Sequence, residues 1–531
     1  MRAQARLLFL LFTALPAALF AQPPADPSRP PTDAWPTYHG DYSGRHFSPL
    51  KQINSANVKG LSLAWIYRAA PLAAAAAGAP AGGVGRGATI KSLPLMIGGI
   101  LYLSTANNAY SVDARTGEQL WHVAAPGGTR GMAMSGNWLF QGGGDSLVSL
   151  DMTTGKERWR KTHNVRGANY FTPVAIGNHI IVGVGMDTND IPAWLESRDP
   201  ETGDLQWQWN VTPRKGEPGL DSWPSEDAAI HGGGGPWQPV TYDPELNLVY
   251  VTTANPNPVL NPLGRPGSNL YTSSIVALHA DTGKMAWYFQ CSPHDTHDWD
   301  ATQDAFVFDG TINGQPRKLI GQLNRNGWLF VIDRVTGKSV VSKPYITTSN
   351  SYSGTDAKGQ PIPNPDKDPA VAGVLVSPDS DGAANYPAPT FSPDTGLIYV
   401  NATEAYSIFY LTSTDGKAMA WGGASEYHTG YFPSVLRALD YRTGTVKWEH
   451  KYDGIGFWSS TYPGMLSTSG NLLFTGDPYN NFVAYDAAAG KRLWRFPLGA
   501  GQTNSPISYI LDGRQYVLVA SNDTLYAFYL Q

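Results

Sequence analysis

Short runs in which apolar positions alternate with small or polar ones recur along nearly the whole chain. Ile97-Gly-Gly-Ile-Leu-Tyr-Leu-Ser-Thr, Val174-Ala-Ile-Gly-Asn-His-Ile-Ile-Val and Leu472-Leu-Phe-Thr-Gly are representative. A period of two over such lengths, bounded by Gly, Asn and Asp, predicts antiparallel strands joined by tight turns. No stretch sustains the 3.6-residue period of a helix. The pattern is all-β.

One phrase punctuates these strands seven times: Asp, a few residues, Thr-Gly or Ala-Gly, and usually a Trp three or four residues on. The copies centre on Asp113, Asp151, Asp199, His279, Asp333, Asp440 and Asp486, followed by Trp121, Trp159, Trp207, Trp287, Trp448 and Trp494, with none after Asp333. Asp can bond backbone N–H groups and Gly accepts positive φ, so the phrase reads as the turn before the outer strand of a unit. The Trp then lies on that outer strand, placed to cover the turn of a neighbouring unit.

The shorter intervals, about 38 to 54 residues, suit a four-stranded propeller blade. Longer intervals at 199–279 and 333–440 place insertions there. An eighth unit is split between Leu61-Ser-Leu-Ala-Trp65 and Leu525-Tyr-Ala-Phe528. The expected fold is an eight-bladed β-propeller with tryptophan-docking repeats. Pairing of N- and C-terminal strands in one blade would close the ring and remove its open edges.

Composition changes this picture little. Gly (57 residues) and Pro (41) supply turns, and charged residues make up only 15% at a net charge of −5. That balance excludes a disordered chain, and no basic run exceeds Arg214-Lys215, so nucleic acid is not an expected partner. Residues 1–21, with Arg2 and Arg6 before an apolar run to Phe20, read as a signal peptide cleaved near Ala21. The run is short for a membrane span and broken by Pro16, so no stable membrane anchor is expected. The protein is accordingly expected to be periplasmic or secreted. Residues 22–34 form a Pro-rich, unstructured lead-in, 35–531 the propeller, and 69–87 an Ala/Gly-rich insertion. Cys291 is the only cysteine, which excludes a disulfide within the chain and a Cys-x-x-Cys-His haem attachment.

Three loop-rich stretches carry candidate chemistry. In Gly232-Gly-Gly-Gly-Pro-Trp237, glycines permit close approach to a flat ligand and Trp offers a stacking face. Thr253-Ala-Asn255-Pro-Asn257-Pro is the second. The third, His294-Asp295-Thr-His297-Asp298-Trp-Asp300, could supply hard oxygen ligands or a general base. It reads equally as a capped turn with a solvated acidic face.

Trp35-Pro-Thr-Tyr, Asp41-Tyr-Ser-Gly-Arg-His-Phe-Ser-Pro-Leu and Gln52-Ile-Asn resemble the N-terminal signature of pyrroloquinoline quinone (PQQ)-dependent alcohol dehydrogenases. Tyr242-Asp-Pro-Glu-Leu-Asn-Leu-Val-Tyr, Arg265-Pro-Gly-Ser-Asn-Leu-Tyr, Pro293-His-Asp with Asp298, and Asn324-Arg-Asn-Gly are similar to that family in the same order. The resemblance spans nearly all of residues 35–531. It implies a propeller with PQQ on its axis, bound to Ca²⁺ or a lanthanide, taking a hydride from a small-molecule alcohol or sugar. A separate periplasmic electron acceptor, such as a c-type cytochrome, would complete the cycle.

Carried over by position, the resemblance makes Trp237 the floor under the quinone, Arg130 and Lys91 partners of its carboxylates, and Arg325 a donor to its oxygens. Asp298 would be the catalytic base, and Asn255, Asp298 and Asp300 metal ligands. Other positions depart from the family pattern. No cysteine pair precedes Arg130, Thr188 stands where a metal-binding Glu is expected, with Asp187 or Asp190 beside it, Lys91 replaces a Glu, and Thr403 an Asn. Those departures motivate a second reading, an "empty" quinoprotein propeller that has lost PQQ and metal and binds another ligand or a protein.

Overall fold

A computed structural model describes residues 26–70, 89–128, 130–186, 190–416, 421–429, 433–454 and 462–531. The expected signal peptide, nearly all of the 69–87 insertion, and Asp187 and Thr188 lie outside the described residues. Among the described residues the only α-helix is Glu226–Ile230, and no helix is long and apolar enough to cross a membrane. The chain is all-β.

Among the described residues, eight sheets of four or five strands make up most of the fold, antiparallel but for the pairing of Phe47–Ser48 with Leu466–Thr468, with two smaller sheets beside them. In one, Leu95–Ile97, Ile100–Thr105, Asn108–Asp113 and Gln119–Ala124 follow one another in space as in sequence. The middle strands are buried along almost their whole length, because both faces pack against other sheets. The outer strand, Gln119–Ala124, is half-exposed or exposed throughout. The insertions sit in the two long intervals. One holds the short helix, and the other holds the small sheets of Tyr352–Thr355 with Pro361–Pro363 and of Val374–Val376, Ser407–Leu411 and Ala424–His428.

The repeated phrase forms the turn it predicts, with the first Asp accepting N–H bonds from Arg115 and Thr116. Each Trp docks on the next unit. Trp121 Nε1 donates to the Met152 carbonyl at 2.9 Å, Trp207 to Ala280 at 2.8 Å and Trp448 to Ala487 at 3.0 Å, each acceptor following directly on the turn Asp or its His equivalent. The turn glycine lies beneath the indole. A Cβ on Gly283, at φ 66°, would come within 2.5 Å of the Trp207 ring. Where the phrase lacks its Trp, Val341 occupies the dock, 3.1 Å from where a Cβ on Gly444 would stand. Trp207→Phe keeps the ring and loses the donor, leaving a buried carbonyl unsatisfied. Unfolding in urea should show a loss of about 1–3 kcal/mol.

Leu61–Arg68 pairs antiparallel with Thr524–Leu530, Leu61 opposite Leu530. Trp494 docks on the Leu61 carbonyl at 3.2 Å, where the other sheets present their turn. Residues 26–34 are irregular but tethered, because Tyr42 N–H donates to the Pro27 carbonyl and Ile510 N–H to that of Thr32. These two backbone hydrogen bonds hold the segment down without a strand or helix.

Candidate functional site

Trp237 follows the glycine run, which turns sharply through Gly233 (φ 73°) and Gly234 (φ 84°). Its indole is buried, and Nε1 donates to Asp300 Oδ2 at 3.2 Å. Asp300 Oδ1 accepts the Asn255 N–H at 2.7 Å, and Oδ2 also accepts Arg325 Nη1 at 2.6 Å. One fully buried carboxylate thus fixes residues from three separate loops. Arg325 Nη2 reaches Asp298 Oδ2 at 3.0 Å and the Ser380 carbonyl at 2.5 Å. Arg325 sits at the tip of a hairpin between Gln315–Leu323 and Trp328–Asp333, where Asn324 N–H bonds the Trp328 carbonyl and Gly327 turns at φ 83°.

The acidic stretch divides its labour. Asp295 caps the turn, accepting N–H bonds from His297 at 3.1 Å and Trp299 at 2.8 Å, and burial pushes its carboxyl up to about 6. His297 stacks on Trp299 and lies 2.8 Å from the Lys367 carbonyl, and burial holds its imidazole down at about 4. Arg265, fully buried, ties the loops together through the carbonyls of Pro258, Val259 and Asp295. Asp298, at φ 68°, and Asp300 turn inward. The capped-turn reading therefore describes Asp295 and His297, while Asp298 and Asp300 face Arg325.

The remaining cations gather above the floor. The Arg130 guanidinium lies 4.2 Å from the Trp237 ring centroid and 4.1 Å from that of Tyr386, between two aromatic plates. Lys91 Nζ stands 5.8 Å from the Tyr386 ring. Burial and then the neighbouring Arg130 charge lower the Lys91 ammonium below its ordinary value. An anion placed here would relieve both costs. A cavity of about 450 Å³ opens between Trp237, Arg130, Arg325, Gly127, Gly128 and Gly143, within the range of small-molecule sites. Lys91, Arg130, Trp237, Asn255, Asp298, Asp300 and Arg325 are thus brought together, from segments far apart in sequence.

Thr403 does not face this cavity: it is buried, with its hydroxyl 3.2 Å from that of Ser434. Sequence reasoning missed Tyr386, Gln238 and Ser380. Tyr386 is one of many tyrosines in loops, and Ser380 acts through its backbone, so neither has a signature. Behind Ser380 lies a second charged group. His428 Nδ1 is 3.3 Å from Asp379 Oδ2 and Nε2 is 3.4 Å from Glu426 Oε1, while the Ser380 hydroxyl donates to Glu426. The hydrogen bond to Asp379 pushes His428 up to about 9, whereas burial pushes Asp379 up to about 6 in spite of that partner.

Because the folded His428 pKa exceeds the unfolded one, its contribution is full below about 6.5 and lost as pH rises through about 9. Urea-unfolding midpoints should therefore fall between pH 7 and 9.5, and His428→Gln should flatten that decline.

A family profile described as "PQQ: Glucose/ethanol/alcohol dehydrogenase, beta-propeller domain" matches residues 35–137, 161–371 and 454–517. The chain belongs to this family. It is 32% identical to a quinohemoprotein alcohol dehydrogenase of Comamonas testosteroni, over 92% of this chain and 72% of that one. It is also 32% identical to the quinoprotein alcohol dehydrogenase PedH of Pseudomonas putida, over 90% and 84%. The fold superposes on a europium-containing methanol dehydrogenase with a TM-score of 0.81 at 25% identity, covering 94% of this chain and 98% of that one. This quinoprotein chain departs from the signature its sequence resembles in having no cysteine pair before Arg130, and at Lys91.

Proposed function

We propose that this quinoprotein is exported and oxidises an alcohol or sugar hydroxyl, handing electrons to a separate carrier such as a c-type cytochrome. The observation that carries the reading is the convergence of Trp237, Arg130 and Arg325 on one cavity, with Asp298 held by Arg325 Nη2. Eight sheets, the pairing of Leu61–Arg68 with Thr524–Leu530 and the Trp494 dock support eight blades in a closed ring, with residues 35–531 as one propeller. The basic-then-apolar start supports a cleaved signal over 1–21 and a periplasmic or secreted location.

The residues fit a flat polyanion: an aromatic floor and two guanidinium groups line the cavity, and the Lys91 ammonium stands near Tyr386, whose ring Arg130 also covers. They also fit a hard cation, since Asn255, Asp298 and Asp300 offer only oxygen donors. That donor set is common to Ca²⁺ and a lanthanide. When bound, PQQ supplies the carbonyl that accepts hydride, and the ion supplies Lewis acidity beside it. Trp237 would stack the ring, and Arg130, which lies over the Trp237 indole in this structure, and Lys91 would pair with its carboxylates. Arg325 has five N–H donors, enough to keep Asp300 and still stabilise charge developing in the cavity. Asp298, held by Arg325, takes the proton from the substrate hydroxyl.

Purified protein should take up one equivalent of PQQ when Ca²⁺ or La³⁺ is added, and then reduce an artificial dye only in the presence of alcohol. Absence of stoichiometric quinone with either ion would overturn the reading and leave the propeller as a binding module.

A further inference from the structure

Beneath the Trp237 floor lies a second group of ligating side chains that the dehydrogenase reading does not use. His39 and His46 come from the N-terminal segment and Asp304 from the end of the acidic loop, and all three are buried. His39 Nδ1 is 3.1 Å from His46 Nε2, His46 Nε2 is 3.2 Å from Asp304 Oδ2, and His39 Nδ1 is 3.9 Å from the same oxygen. The two imidazole planes cross at 87°. Gln238 Nε2 donates to the other carboxylate oxygen at 3.1 Å and to the Tyr386 carbonyl at 3.0 Å, and Arg130 Nη1 donates to Gln238 Oε1 at 3.4 Å.

Hydrogen bonding accounts poorly for this triangle. The single proton of His46 Nε2 can serve His39 or Asp304 well, but not both. If His39 donates to His46 instead, an imidazole lone pair faces a carboxylate at 3.2 Å. A cation removes the conflict, because all three atoms can turn lone pairs to one point. Atoms with these separations share a centre about 2.0 Å from each, the length of a zinc–nitrogen or zinc–oxygen bond.

The protonation states agree with the geometry. Burial holds His39 down at about 4 and His46 at about 3, so both rings are neutral, as metal ligands must be. Asp304 is pushed up to about 6 by burial, against the pull of His39 and Arg130, and is ionised at neutral pH.

We propose that His39, His46 and Asp304 hold one first-row divalent ion of the zinc class. Two imidazoles and one carboxylate select such an ion over Ca²⁺ or a lanthanide, which prefer oxygen alone. Their burial makes the ion structural: it staples the N-terminal segment to the loop behind Asp304, and through Gln238 it supports Trp237 and Arg130. It enters as the chain folds. This inference is independent of whether the cavity above takes a quinone.

Elemental analysis of the native full chain after exhaustive EDTA dialysis should find about one equivalent of a first-row metal, released only when the protein is unfolded with chelator present. Refolding with Co²⁺ should give visible d–d absorption that His46→Gln and Asp304→Asn each abolish and Asp298→Asn retains. Should those variants fail to fold, refolding of the unaltered chain decides: Zn²⁺ should raise its melting temperature above that of protein refolded in EDTA. The proposal is overturned if the native chain holds less than about a tenth of an equivalent and refolds indifferently to Zn²⁺ and Co²⁺. It is equally overturned if the cobalt bands survive Asp304→Asn and disappear in Asp298→Asn.

Discussion

Asp298→Asn should lower alcohol-dependent dye reduction by about 10³-fold while leaving quinone uptake intact. The amide is isosteric and its oxygen still accepts from Arg325 Nη2, now 3.0 Å from the carboxylate, so the loop keeps its shape. What is lost is the capacity to take a proton, which position alone cannot replace. Single-turnover reduction of bound quinone separates this from a binding defect. Undiminished turnover would place the base elsewhere. A loss of quinone together with activity would make Asp298 a structural partner of Arg325.

Arg325→Ala should destabilise the protein by about 3–5 kcal/mol, even without quinone. Asp298 and Asp300 side chains are 11% and 0% exposed, so removing the guanidinium takes a charge-assisted partner from two carboxylates with little access to water. Asp300, the more deeply buried, would suffer more. Arg325→Ala combined with Asp300→Asn should recover part of the loss, and the double-mutant cycle in urea measures how much. Additive effects would show that the two residues do not share the interaction the structure draws. Arg325→Lys should keep the charge and lose the fork to both carboxylates, falling between the two.

The fold was largely legible because its signals are local. A turn needs Asp and a positive-φ glycine within five residues, and the Trp that covers the next unit recurs at a fixed offset. The one copy without a Trp, after Asp333, breaks the phrase without breaking the dock, since Val341 fills it. The tether of residues 26–34 was not legible, because backbone bonds to Tyr42 and Ile510 leave no side-chain pattern to reveal them.

The site was legible in part. Trp237, Asp298 and Arg325 stand in recognisable loops, yet nothing in the order of residues couples Asp300 to both Trp237 and Arg325. The capped-turn and chemical readings of residues 294–300 could not be separated by composition, because both use Asp and His. They separate only by direction: Asp295 turns to the backbone and Asp298 to Arg325. His39 and His46 drew no notice as neighbours of a motif, and Asp304 lies some 260 residues away from them.

The sequence by itself determined the all-β repeat, the Trp docks, the intervals that hold insertions and the family to which the chain belongs, because hydrophobic period, turn chemistry and motif order are written within short windows. Only the tertiary structure decided that Arg130 lies between Trp237 and Tyr386, that one buried carboxylate binds three loops, and that two imidazoles meet Asp304 beneath the floor. Those are contacts between separate segments, from 25 residues apart for Asp300 with Arg325 to 258 for His46 with Asp304. They exist because packed sheets bring distant loops together, and no local pattern encodes where such loops meet.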